Sequence, residues 1–349
     1  MNRGFGSDNH SGTHPQFLKA IQECNGDHEP SYGTDQYCIK AQQMMSELFG
    51  KPVETYFVFN GTGANVFALR SFVDRFESVI CGDYSHLNVD ECGAAEAIGG
   101  YKLIPLPSID GKISVSDIEK AIIRKGDQHF SQVKAVSITQ PTEVGTLYTL
   151  DEIKQISDLC HRHEMYLHVD GARIANAVVS LKSDFKETIT DTGVDVLSFG
   201  GTKNGMLFGE AVVFLNPQLC KTAKFHRKQL AQLPSKSRFI ANQFYHYLSG
   251  QLWQEIAGHS LSMAQKLASA ISNCPQVKIT HPVQSNGVFA QIPQKWVKKL
   301  REDYFFYVWD ENTFECRLMC SWDTTAADIQ GFASALKNLS ENSNESLRG

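Results

Sequence analysis

Short apolar runs recur between about residues 53 and 215, with polar or amphipathic stretches between them. The runs are ETYFVFN (54–60), SVICGD (78–83), YKLIPL (101–106), VKAVSIT (133–139), MYLHVD (165–170), VDVLSF (194–199) and EAVVFL (210–215). Runs of this length and apolar character read as strands, and their alternation with helical patterns predicts a mostly parallel, seven-stranded sheet covered on both faces. One intervening helix carries a clear start signal. Thr149 and Glu152 in TLDE fit a capping box, and Ile153, Ile156, Leu159 and Cys160 then recur at helical spacing. In such a sheet ligands gather outside the carboxyl ends of the strands. Residues 60–65, His86, Asp170 and Lys203 all fall at or just beyond those ends.

Beyond the sheet pattern, a long helical stretch is expected over roughly 219–271, interrupted near Leu233, Pro234 and Ser235. The patterning then changes. VKIT (277–280), GVFAQIP (287–293), YFFYVW (304–309) and FECRLMC (314–320) read as strands of a second, mainly antiparallel sheet, and DTTAADIQGFASALKNL (323–339) as its closing helix. The chain is therefore predicted to be α/β, with an N-terminal segment and large domain over 1–254 and a smaller α+β domain over 255–349. The polar tail from about residue 340, SENSNESLRG, is expected to be disordered.

Composition narrows the partners more than the chemistry. With 349 residues and 42% hydrophobic content, the chain can bury a large core. A formal charge of -5 gives no electrostatic reason to expect nucleic acid or an anionic membrane as partner. No apolar run approaches the roughly 18 to 20 residues that cross a bilayer, and none near the N-terminus resembles a signal segment, so a cytoplasmic location is expected. The nine cysteines include no CxxC pair, the nearest being Cys316 and Cys320, which points to reduced thiols. His161, His163 and His168 invite a metal reading, but the first two lie two apart on a predicted helix and would diverge, so no metal site is expected.

The candidate chemistry starts from Lys203, which follows the strand in VDVLSFGGTKNG, and Asp170, which ends the strand in LHVDGAR. A lysine at the mouth of a parallel sheet can lose its proton and attack a carbonyl, and a nearby carboxylate can hold a protonated pyridine nitrogen. FNGTGAN (59–65) supplies the third element, a Gly-rich turn into a helix whose backbone N–H groups suit a phosphate. Ser198 and Thr202 can add hydroxyl donors to it. Together these point to pyridoxal phosphate (PLP). Asp170 would serve equally as a helix cap, and His86 either as a loop residue or as a ring-stacking, proton-handling group. Arg317, set in the apolar run FECRLMC, and Arg173 in DGAR are candidates for a substrate carboxylate, with a hydroxyl from Ser7.

At this point the motifs resemble a known family. SDNHSGTHP, YGTD (32–35), FNGTGAN, SHLNVDECGA (85–94), HVDGAR and the TK of GGTKNG are similar, in this order, to the low-specificity L-threonine aldolases within the β-eliminating lyases, PLP enzymes of fold type I. The resemblance spans about residues 5–335. It implies that Lys203 carries the cofactor, that Asp170 partners the pyridine nitrogen, and that His86 stacks on the ring. Gly61, Thr62, Gly63 and Asn65 would belong to the cofactor site, with Ser198 and Thr202 beside them. Ser7, Arg173 and Arg317 would grip the substrate carboxylate, and His129 would lie near the β-hydroxyl, with His129 or His86, directly or through water, as the base for its proton. Two departures stand out: QLPSKSRF (232–239) replaces a Gly-rich Met-Arg segment, leaving Arg238 as the arginine given to a neighbouring subunit's phosphate, and QPTE (140–143) replaces an Asn-His pair. The implied activity is cleavage of threonine-like β-hydroxy amino acids to glycine and an aldehyde by a dimer of dimers, in threonine catabolism or glycine biosynthesis. Another PLP lyase or aminotransferase activity, or PLP binding without catalysis, are the alternatives.

Overall fold

A computed structural model of the protein describes residues 3–345. Each of the seven apolar runs forms a strand: β1 (Glu54–Val58), β2 (Glu77–Gly82), β3 (Lys102–Leu106), β4 (Gln132–Thr139), β5 (Tyr166–Gly171), β6 (Val196–Gly200) and β7 (Glu210–Phe214). They form one sheet in the order β1-β7-β6-β5-β4-β2-β3. Only β7 runs against its neighbours. Because β1 and β6 are both antiparallel to β7, six strands point the same way and present their carboxyl ends along one edge. The central strands are apolar on both faces because helices cover both, and Val136, Leu167, Val169, Leu197 and Phe199 are all enclosed. The helix Leu150–Arg162 starts at the expected capping box, with Thr149 and Glu152 bonding each other's backbone amides.

The helical stretch resolves into Ala223–Gln229, Arg238–Leu248 and Leu252–Ile271. The second break, at Ser249–Gln251, was not foreseen. The smaller sheet contains β8 (Lys278–Ile279), β9 (Gly287–Gln291), β10 (Tyr307–Asp310) and β11 (Glu315–Met319), all antiparallel in the order β10-β11-β9-β8. A helix, Gln294–Asp303, was also unforeseen: its apolar stripe of Trp296, Val297 and Leu300 is interleaved with lysines and is short.

Three expectations about boundaries change. The break placed at residue 255 falls inside Leu252–Ile271, whose first turns (Leu252, Trp253, Ile256) pack in the large core and whose later turns (Met263, Leu267, Ile271) pack in the small one. The N-terminal segment is shared too. Phe5 is buried in the small core, donating its N–H to Phe305 O at 2.7 Å and accepting from Met319 N at 2.7 Å. The closing helix continues to Glu345, so the polar tail is helical as far as that residue, and the rest of it lies outside the described residues.

Candidate active site

The carboxyl edge of the large sheet opens into a cavity of about 630 Å³ that is closed on the far side by the N-terminal segment and by β10 and β11. Lys203 enters it from a short turn, Thr202–Asn204, just after β6. Gly200 makes that placement possible, because a side chain there would begin 2.0 Å from Ala172 O on the neighbouring strand exit. The turn is pinned from β7: Glu210, opposite Gly200, accepts the Gly201 N–H, and Thr202 Oγ1 accepts the Gly209 N–H at 3.0 Å. Burial pushes the Glu210 carboxyl up to about 7. Burial, reinforced by the positive charge on Arg173, holds the Lys203 amine below its ordinary pKa. It is thereby shifted toward the neutral, nucleophilic form.

Asp170, on β5, is 6% exposed. Its two oxygens accept from Asn65 Nδ2 at 2.8 Å and from Ala172 N at 3.0 Å. Burial alone would raise its pKa, but the charges of His86 and Lys203 and the Asn65 hydrogen bond outweigh it and keep the carboxyl low, hence ionised. A polar row extends from it. Asn65 Nδ2 also donates to Glu91 Oε1 at 2.8 Å, and the same oxygen meets His86 Nδ1 at 3.0 Å. That hydrogen bond is the main cause raising the His86 pKa, against burial.

Asn65 lies on the helix Gly61–Arg70, which follows β1 and opens toward the cavity. Asn60 caps it, its side chain accepting from Gly63 N at 2.8 Å and its carbonyl from Ala64 N at 2.9 Å. The Gly61 and Thr62 amides are then the ones that the helix itself does not use. Apart from its own helix and chain neighbours, no heavy atom of the described residues lies within 4 Å of where a side chain on Gly61 would begin, so the space beside that position is open. An anion is favoured there by both the amides and the helix dipole.

The opposite wall is cationic. Arg173 donates from Nε and Nη2 to Asp8, which also accepts from Asn286 Nδ2 at 3.2 Å. Arg317, on β11, stacks between Trp309 and Tyr307, its guanidinium carbon 4.8 and 5.4 Å from the two ring centres. Its Nη2 donates to Gly6 O at 3.2 Å, and its buried Nε has no partner among the described residues. Burial lowers it to about 10, so it remains a cation at neutral pH. Ser7 lines the same wall, its hydroxyl accepting from Asn9 N at 3.2 Å.

The arrangement sets an amine of lowered pKa and a fixed carboxylate between amides suited to an anion and a guanidinium edge. A family model described as beta-eliminating lyase matches residues 4–294. The chain belongs to the β-eliminating lyase family. It is 38% identical over 334 residues to the low specificity L-threonine aldolase of Pseudomonas sp., covering 95% of this chain and 96% of that one. It is equally 38% identical to the Pseudomonas aeruginosa enzyme of the same name, covering 94% and 95% of the two chains. Its fold superposes on the solved Leishmania major threonine aldolase with a TM-score of 0.91 and 32% identity, covering 97% of this chain and 99% of that one.

Several candidate residues of this β-eliminating lyase do not meet at the cavity. His129 is exposed in the loop before β4, at the amino end of the sheet, whereas the cavity lies beyond Thr139 at the carboxyl end. At about 3.3 Å per residue the intervening strand is over 20 Å long, so His129 does not reach its own chain's site. Ser198 is in register with Asp170, but its hydroxyl bonds His168 Nε2 at 3.0 Å within the sheet and is not among the groups facing the cavity. His168 meets Ser137 on its other nitrogen at 2.9 Å, and burial lowers it to about 4, so this histidine is a neutral link between strands. Thr202 is occupied with Gly209 and Glu210. Arg238 starts its helix away from this cavity, with Nε buried and unpartnered among the described residues. Arg173 reaches the cavity but spends two nitrogens on Asp8.

Three polar groups went unread in the sequence. Asp8 and Glu91 stood inside the quoted motifs, next to Ser7 and five positions after His86, and a demand for counter-charges would have singled them out. Glu143 ends QPTE, which stood out only as a departure from the family and not as a source of chemistry. Among the described residues no cluster of histidine, cysteine and carboxylate could hold a metal, and no helix is long and apolar enough to cross a membrane.

Proposed function

We propose that the protein is a PLP-dependent aldolase that cleaves L-threonine, L-allo-threonine and related β-hydroxy-α-amino acids to glycine and an aldehyde. The observation that carries this reading is the convergence of Lys203, Asp170 and Arg317 on one cavity in a chain 38% identical to threonine aldolases over 95% of its length. The residues fit the cofactor. The Gly61 and Thr62 amides, with Gly63 in the same turn, suit its phosphate, the ionised Asp170 held by Asn65 suits its ring nitrogen, and the Lys203 amine suits its aldehyde carbon. PLP, when bound, supplies an electron sink conjugated with the substrate α-carbon.

The protein's own groups do the rest. Arg317, with Ser7 and the remaining edge of Arg173, takes the substrate carboxylate, and fixing it sets which bond at Cα stands ready to break. His86 and Glu91 close the side of the site that faces β2. Arg238 serves a second copy of the chain, which makes the active unit a homo-oligomer. A cytoplasmic role in threonine catabolism or glycine formation belongs to the same reading.

The test is to incubate purified, PLP-loaded protein with L-threonine and L-allo-threonine. Acetaldehyde and glycine in equal amounts are expected; ammonia with an oxoacid would indicate elimination, and no turnover a binding protein. A second expectation concerns the carboxylate. Arg317→Ala should lower kcat/KM roughly 10- to 100-fold, as loss of a hydrogen-bonded charge does, with KM raised and kcat reduced together. Arg317→Lys should also be impaired, since a point charge cannot form a two-pronged contact. An unchanged KM for either variant would place the carboxylate elsewhere.

A further inference from the structure

Two carboxyls at the cavity remain without a task, Asp90, which is exposed, and Glu143, which is half-buried. Glu143 sits in the segment QPTE, on the tight turn after β4, and the surface it retains faces the cavity. The turn is rigidly held: Gln140 accepts from Tyr148 N at 2.9 Å and donates to Tyr148 O at 2.8 Å, Gln140 N donates to Asp170 O at 2.9 Å, and Thr142 N donates to Thr146 O at 2.9 Å. Glu143 Oε1 accepts the His86 backbone N–H at 2.8 Å, and Thr139 hydrogen-bonds the carboxyl from its own strand. Among the described residues no cation lies within ion-pair distance of it. A desolvated carboxyl without a cation partner is costly, and a rigid turn aims this one at the site.

From this placement we propose that Glu143 is the base that removes the proton from the substrate's β-hydroxyl. The proposal rests on the aldolase reading. The hydroxyl O–H bond breaks toward Glu143, its electron pair becomes the second bond of the aldehyde, and the Cα–Cβ bond breaks. Cα later gains one proton, giving glycine, so no oxidant or reductant is needed.

The other groups at the cavity are less suited. Glu91 is taken up by Asn65 and by the His86 ring, whose pKa it raises. Asp170, and Asp8 behind the cavity wall, are kept ionised by neighbouring positive charges and are correspondingly weak bases, and Asp90 is exposed to water. His10 is exposed at the mouth, against the rings of Phe305 and Tyr307. Burial raises both Glu91 and Glu143, but Glu91 is bonded to Asn65 and the His86 ring, whereas Glu143 bonds no charged side chain; burial, aided by the charge on Asp170, pushes its carboxyl up to about 7, so that near neutral pH it both accepts and returns a proton. The remaining groups that face it are Cys81, Tyr148, Arg173 and the His86 amide.

Glu143→Gln tests the assignment, because the amide oxygen still accepts the His86 N–H. With PLP-loaded protein, acetaldehyde release from L-threonine should fall at least about 100-fold. Exchange of the glycine α-hydrogen with deuterated water, which needs no β-hydroxyl base, should stay within about threefold of wild type. In wild type, kcat/KM for threonine should rise as pH passes through about 7, where Glu143 ionises, and the variant should lack that limb. Independently of turnover, carboxyl-labelled glutamate followed by carbon NMR should show Glu143 and Glu210 titrating near 7, and only one of them in the variant. Threonine cleavage within threefold of wild type, or no resonance lost from that range, overturns the proposal. Equal loss of exchange and cleavage overturns it too, by making Glu143 a positioning residue for His86. A wild type that exchanges glycine but cleaves no β-hydroxy amino acid instead overturns the aldolase reading itself, and the proposal with it.

Discussion

Lys203→Ala is expected to reduce aldehyde release from L-threonine to background, a loss of more than about 10³-fold, as removal of a nucleophile does. The amine stands just after β6 on a turn pinned by Glu210, burial with the Arg173 charge lowers its pKa, and no other lysine among the described residues lines the cavity. Treating PLP-loaded wild type with borohydride should fix the cofactor to the peptide that contains Lys203. The variant should keep its far-UV circular dichroism and yield no labelled peptide. Labelling of any other lysine in wild type, or an active variant, would move the nucleophile away from β6.

The strands were legible because a doubly covered parallel sheet leaves little choice of residue: MYLHVD and VDVLSF are apolar on both faces, and each becomes a strand within two residues of its expected ends. Lys203 and Asp170 were legible for the same reason, since a polar residue that ends such a run or follows it within a few positions lies at the carboxyl edge. What failed was contact across long stretches of chain. The pairing of Arg173 with Asp8 spans 165 positions and no local pattern announces it. Ser198 looked like a phosphate donor by its nearness to Lys203, yet a strand residue's fate depends on its neighbour across the ladder, which here is the His168 row. His129 was assigned through resemblance alone, and only the strand direction shows that it stands at the other end of the sheet. The domain boundary was misplaced because Leu252–Ile271 is amphipathic throughout, with the apolar face changing partner midway.

Asp170→Asn separates the two meanings that this residue had in the sequence, cap and proton holder. As a cap it accepts the Ala172 N–H at 3.0 Å, and an asparagine oxygen can do the same, so a purely structural Asp170 should tolerate the change. As an ionised carboxylate it stabilises a proton on the pyridine nitrogen, which a neutral amide cannot do. The surroundings favour the second role: Asn65 donates to it, and the charges of His86 and Lys203 hold its pKa down despite burial. Turnover of L-threonine by the variant should therefore drop on the order of 10³-fold, comparable to the removal of one well-placed electrostatic contact at a reacting centre. PLP affinity, followed by absorbance titration, should change much less, since Lys203 and the Gly61–Gly63 turn are untouched. His86 should report the change as well, because the loss of the Asp170 charge removes one of the causes that raise its pKa, and its imidazole should titrate at lower pH in proton NMR. Near-normal turnover together with an unmoved His86 titration would reduce Asp170 to a cap.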